Sequence, residues 1–110
     1  MNVAQLLPAV SNNELFARHT RKFVPKAPGC YVLTSADDTV LYVGLAIDLS
    51  RRMGQHLDSS EKKNPTELGR AVKFYWLETP DINRIERSWI NAHVHFEGRY
   101  PVLNKVFSPT

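Results

Sequence analysis

Apolar residues crowd at strand spacing in two neighbouring stretches, Cys30 to Ser35 and Val40 to Gly44, around the polar turn Ala36-Asp37-Asp38-Thr39. That pattern predicts an antiparallel hairpin. The next stretch, "LSRRMGQHL", carries Leu49, Met53 and Leu57 at helical spacing behind Asp48, whose side chain suits an N-cap. "DSSEKKNPTELG" is polar and punctuated, so it predicts a loop, with room for a helical turn at Thr66 to Leu68. "RAVKFYWLE" predicts a third strand. A long helix follows, capped by Thr79 with Pro80 at its first position, reaching about Phe96 and stopped by Gly98. "YPVLNK" predicts a short final element, extended at the Tyr-Pro step.

The lead-in, residues 1–27, reads differently. "SNNELFARHTRKF" offers Asn caps and then Leu15, Phe16 and Phe23, which predicts a short amphipathic helix before "PKAPG" breaks it. The organisation is a lead-in over 1–27, a domain over 28–107 and a tail over 108–110. The order β-β-α-β-α, with an antiparallel first pair, predicts an α+β fold: a small three-stranded, mainly antiparallel sheet flanked by helices.

Composition narrows the function classes. The 110 residues fit one domain. The net charge of +3 is compatible with a polyanionic partner without requiring one. Cys30 is the one cysteine, so an internal disulfide and a cysteine-based zinc site are excluded. A reducing, cytoplasmic setting is the expectation, since the N-terminus lacks a basic region followed by an apolar run. No stretch is apolar for long enough to span a membrane. The most basic part is the lead-in, with Arg18, His19, Arg21, Lys22 and Lys26.

Three groups of residues carry candidate chemistry. An even-length turn pairs Tyr31 with Gly44 and Leu33 with Tyr42, which puts both phenols on one face and leaves space beside the Tyr31 ring. Tyrosine is also simply common in strands. On the following helix Arg52 and His56, four residues apart, stack on one face; Arg51 beside them points to solvent. A guanidinium fork suits a phosphate oxygen, and an imidazole can move a proton near neutral pH. A solvated basic helix edge is the plainer account of that pair. In the last helix Glu86 falls between Ile82 and Ile90 on the apolar stripe. A carboxylate there must be ion-paired, with Arg87 or Arg70, or protonated, or bound to a cation. His93 and His95 diverge on the helix and cannot chelate together. Asn104 in "PVLN" suits a cap or a turn. There is no glycine-rich phosphate loop and no recognisable Ser/His/Asp set.

Together these residues resemble the GIY-YIG nuclease family. Gly29-Cys30-Tyr31 stands where the family has Gly-Ile-Tyr, and Tyr42-Val43-Gly44 where it has Tyr-Ile-Gly. Ala46, Asp48-Leu49, Arg52 and His56 are similar to its helix motif, Glu86 to its metal-binding glutamate, and Asn104 to its late asparagine after Pro-x-Leu. The likeness covers about Pro28 to Lys105. Cys30 departs from the aliphatic middle residue, and Leu45 stands where some members carry a lysine.

The resemblance implies a compact single-domain endonuclease that hydrolyses DNA phosphodiesters, as a monomer or homodimer, with RNA an open alternative substrate. It implies one divalent cation, Mg²⁺ or Mn²⁺, on Glu86, with Tyr31 as general base and Arg52 stabilising phosphoryl charge. Tyr42 would position the reactants, His56 would assist proton transfer and Asn104 would brace the site. Arg18, Arg21, Lys22, Lys62 and Lys63 would contact the nucleic-acid backbone. A non-catalytic nucleic-acid-binding module that keeps the fold is the alternative.

Overall fold

The computed structural model describes residues 1–104. The end of "YPVLNK" and the tail over 108–110 therefore lie outside the described residues. The element order is β1 (Asn12–Leu15), β2 (Gly29–Thr34), β3 (Val40–Ala46), α1 (Leu49–Leu57), α2 (Ser60–Lys63), β4 (Lys73–Glu78) and α3 (Ile82–Glu97), with short 3-10 segments at Val3–Gln5 and Arg18–Phe23. The fold is α+β, as expected.

Among the described residues the sheet has four strands rather than three, in the order β1-β4-β2-β3, with every pair antiparallel. The extra strand comes from the lead-in, where a helix was expected. Asn12 to Leu15 pair with Trp76 to Lys73 instead, and the chain then makes the 3-10 segment. The reason is physical. An edge strand is held by backbone hydrogen bonds, and β1 keeps most of its side chains in water, so it leaves no hydrophobic trace. Leu15 and Phe23, expected on a buried helix face, are exposed.

Strand β2 lies inside the sheet and is buried on both faces. Tyr31 and Leu33 point to one side and join Leu49, Met53 and Leu57 of α1. Cys30 and Val32 point to the other and meet Ile85 and Trp89 of α3, together with Val3 and Leu6 of the N-terminal segment. The alternation of one strand thus divides the interior into two cores.

Helix α1 spans the residues its pattern predicts, with Asp48 Oδ1 accepting from the Arg51 amide at 3.0 Å. The polar loop after it holds α2, and the Thr66–Leu68 stretch forms a turn closed on Gly69. Helix α3 starts two residues later than expected. Thr79 Oγ1 accepts from the Asp81 amide at 3.1 Å, closing a turn that precedes the helix. Gly98, at φ 73°, ends it by donating to Val94 O. Among the described residues no helix is long and apolar enough to cross a membrane.

Candidate active site

The site grows from the hairpin register. Tyr31 opposes Gly44 and Leu33 opposes Tyr42, the pairing the even-turn argument requires. The turn itself does not supply the parity. Thr34 pairs with Val40, and an irregularity between Leu33 and Thr34 accommodates Leu41 as the extra residue. Leu41 and Tyr42 consequently both join the α1-side core. The Tyr31 and Tyr42 rings stack at 5.9 Å between centroids. Gly44 permits this: a Cβ there would fall 2.5 Å from both Cζ and the hydroxyl of Tyr31. The turn is anchored by Asp38, at φ 66°, whose carboxylate accepts from Tyr75 at 2.7 Å and Lys73 at 2.9 Å. Those two bonds, the tyrosine's first, hold the Asp38 carboxyl below its ordinary range.

Helix α1 brings His56 to these rings. Its Nε2 lies 2.5 Å from the Tyr31 hydroxyl, and its ring meets Tyr42 edge-on at 5.1 Å. Phe74 stacks on the far side of Tyr31 at 5.2 Å. Tyr31 is 0% exposed. Burial pushes its phenol well above the ordinary value, Tyr42 adds to the rise, and the Arg52 guanidinium opposes it. Burial also depresses His56 to about 4, and the positive charges of Lys62 and Arg52 push the same way. At neutral pH the pair is therefore a neutral phenol beside a neutral imidazole. In the Nδ1–H tautomer His56 is the acceptor and Tyr31 O–H the donor.

Strand β3 is a sheet edge, and side chains occupy its open flank. Asn104 holds Val43 at two points: its Oδ1 accepts from the Val43 amide at 3.0 Å, and its Nδ2 donates to the Val43 carbonyl at 2.9 Å. Two residues on, Arg52 Nη1 donates to Leu45 O at 3.3 Å. The next face of this edge opens into a cleft of about 720 Å³ whose lining includes Tyr42, Arg52, Lys62, Glu86 and Asn104. Tyr31 and His56 sit behind its wall, under Gly44 and Tyr42. A second concavity, on the outer face of α3, is lined by Asp81, Arg84 and Arg87 among others and holds none of the aromatic residues.

Glu86 is half-buried in the cleft wall. Burial raises its carboxyl above the ordinary range, and the Arg87 charge counters this in part. The pairing with Arg87 or Arg70 considered from the sequence does not form: among the described residues Glu86 joins no salt bridge. Nor, among those residues, do three or more His, Cys, Asp or Glu side chains gather as a metal cage. Glu61 also lines the cleft, 3.9 Å from Lys62. The half-buried Glu86 carboxylate, facing this polar cleft, suits a hard divalent cation that keeps most of its waters.

The basic residues divide. Arg18 reaches Asp58 of the α1 C-cap at 2.5 Å, and Arg21 Nε donates to Ser50 O at 2.9 Å, so both tie the lead-in to α1. Lys22 rests over the Phe23 ring at 5.3 Å. Lys63 is exposed, whereas Lys62 turns inward over the Tyr42 ring at 4.7 Å. That inward turn has no signature in the sequence, because it depends on how the loop after α1 folds back.

A family model described as the GIY-YIG catalytic domain matches residues 27–99, which takes in Tyr31, Tyr42, Arg52, His56 and Glu86 and leaves Asn104 just beyond. The UvrABC system protein C of Finegoldia magna is 54% identical over 39 residues, 36% of this chain and 6% of that protein. The bifunctional monothiol glutaredoxin-S16, chloroplastic, of Arabidopsis thaliana is 26% identical over 106 residues, 94% of this chain and 34% of that protein. The UvrABC system protein C of Lactobacillus helveticus is 33% identical over 63 residues, 57% of this chain and 10% of that protein. The chain thus spans about a third or less of the curated relatives it matches. With the family model covering most of the chain and its motif residues gathered at one strand edge, the chain belongs to the GIY-YIG catalytic-domain family.

Proposed function

We propose that the chain is an endonuclease that hydrolyses DNA phosphodiesters with one divalent cation, Mg²⁺ or Mn²⁺. The observation that carries this reading is the shared cleft: Arg52, Lys62, Tyr42 and a carboxylate outside any salt bridge among the described residues line it, above a Tyr31–His56 pair. Glu86 would hold the cation. Bound there, the cation would supply Lewis-acid stabilisation of the phosphoryl group and of the departing oxygen.

The chain's own residues would do the rest. A water in the cleft attacks phosphorus, forming the new P–O bond as the bond to the 3′ oxygen breaks, and the departing 3′ oxygen takes a proton from a second water of the cleft. The water's proton would pass to the Tyr31 oxygen, which lies against Gly44 of the cleft lining, while the Tyr31 proton would pass to His56 Nε2. Because Tyr31 is buried, this step requires the Gly44–Tyr42 wall to admit the water. This transfer avoids a free phenolate, which the burial of Tyr31 strongly disfavours. Arg52 donates to a non-bridging phosphoryl oxygen, where charge builds up in the transition state. Tyr42, on the cleft side of the stack, orients the reactants. Asn104 holds Val43, and with it the strand that carries Tyr42 and Gly44.

The test is incubation of the wild-type protein with supercoiled plasmid in Mg²⁺, Mn²⁺ and EDTA. Nicked or linear product in either metal, absent in EDTA, is the expected result. The complete burial of Tyr31 gives the binding-module reading its specific support. Retarded but intact plasmid in every metal and DNA form would decide for that reading.

A further inference from the structure

We propose that Lys62 is a second cation of the catalytic cleft, binding the scissile phosphate with Arg52 and thereby coupling substrate binding to proton acceptance at His56. The proposal rests on the nuclease reading for its substrate. Its physical basis is separate.

Lysine ordinarily extends its ammonium into water, where it is strongly hydrated. Lys62 does not. Its side chain is 14% exposed, and the ammonium lies 4.7 Å from the centroid of the Tyr42 ring. Its carboxylate neighbour, Glu61, is 3.9 Å away, the outer limit of an ion pair. The inward pose comes from α2, which follows α1 after Asp58 and Ser59 and brings the chain back over the cleft. Lys63, the next residue, is exposed, so the two lysines have different surroundings. An ammonium held by a ring face and a distant carboxylate, beside Arg52 in a cleft, is placed for an anion rather than for a structural pair.

The coupling follows from what surrounds His56. Tyr31 faces it from β2, Tyr42 from β3, Arg52 from α1 and Lys62 from α2. The phenols are neutral; burial disfavours a proton on the ring most, and the two cations add to it, Lys62 more than Arg52. In the empty cleft His56 is therefore a poor acceptor. A phosphodiester anion between Lys62 and Arg52 offsets both charges. His56 then takes a proton more readily, and does so only while substrate is in place.

The experiment follows the His56 ring by NMR across pH in wild type, Lys62→Met, Lys62→Arg and Lys63→Met. Each is measured free and saturated with a duplex oligonucleotide in EDTA, which keeps the strand intact. Thermal melting confirms that each variant is folded. In the free proteins, Lys62→Met should titrate at higher pH than wild type, while Lys62→Arg and Lys63→Met should match wild type. Duplex should raise wild-type His56 by a larger step than in Lys62→Met. In Mg²⁺, Lys62→Met should lose about tenfold or more in kcat/KM, with Lys62→Arg restoring most of it. Identical His56 titrations in free wild type and Lys62→Met, or equal steps on adding duplex, would overturn the proposal. A wild type that shows the His56 step yet never cuts DNA removes the nuclease reading and leaves Lys62 as a phosphate contact coupled to His56.

Discussion

Tyr31 on β2 and Glu86 on α3 are both polar side chains set into apolar faces, on opposite sides of the sheet, and the fold treats them differently. Tyr31 is sealed: its hydroxyl is matched to His56, and its ring lies between Phe74 and Tyr42. Glu86 is left half-open, at the wall of the cleft and outside every salt bridge among the described residues. Burial raises the pKa of both, with opposite consequences. A buried phenol becomes a neutral donor locked in place. A half-buried carboxylate becomes an anion held at a cost, which a cation can relieve. On the proposed function, the sealed side would serve geometry and proton transfer, and the open side the binding of charge.

The sharpest way to break that contrast is Tyr31→Phe. It keeps the ring stack and removes only the hydroxyl. We expect the rate of DNA cleavage to fall by about 10²–10⁴-fold, the usual worth of a positioned proton-transfer group. Melting should drop only modestly, because one buried imidazole nitrogen loses its partner. Single-turnover cleavage beside thermal melting checks both; a variant that cuts at wild-type rate removes Tyr31 from the chemistry.

Gly44→Ala tests the seal itself. The added methyl would fall on the Tyr31 hydroxyl and, at 2.8 Å, on Tyr42 Cε1. Overpacking of this kind costs about 1–3 kcal/mol, so chemical denaturation should show a clear loss of stability. Unchanged stability would mean that the two rings are free to move apart.

A further effect is one of pH. The folded-state value of His56, about 4, lies below its ordinary 6.5. Between those values the unfolded chain binds the extra proton, so stability is full above pH 6.5 and declines as pH falls toward 4. His56→Gln should flatten part of that slope in denaturation curves taken at several pH values. The remainder belongs to groups such as His93, which burial also lowers. An identical slope in both proteins would contradict a neutral, buried His56.

The sealed side was the more legible in the sequence. Strand alternation placed Tyr31 with Tyr42, and the Asp48 cap set the phase of α1 and hence of Arg52 and His56. These are local periodicities, and burial preserves them. The Leu41 irregularity was not legible, because one extra residue in a strand leaves the composition unchanged. On the open side, the wheel position of Glu86 already marked it as out of place. Lys62 was expected only as a backbone contact alongside Lys63, and nothing separated the two, since the approach of Lys62 to Tyr42 depends on how the segment after α1 folds back. The edge strand β1 escaped for a related reason: "NNEL" is held by backbone bonds to β4 while most of its side chains stay in water.

On the proposed function, Glu86 is held half-open so that it can bind the cation on which cleavage depends. Wild type and Glu86→Ala should be compared side by side on supercoiled plasmid in Mg²⁺ and Mn²⁺, with melting temperatures recorded with and without Mn²⁺. Wild type should show metal-dependent nicking and a Mn²⁺-induced rise in melting temperature. The variant should stay folded and show neither. Metal-dependent nicking by Glu86→Ala at the wild-type rate would contradict this role of Glu86.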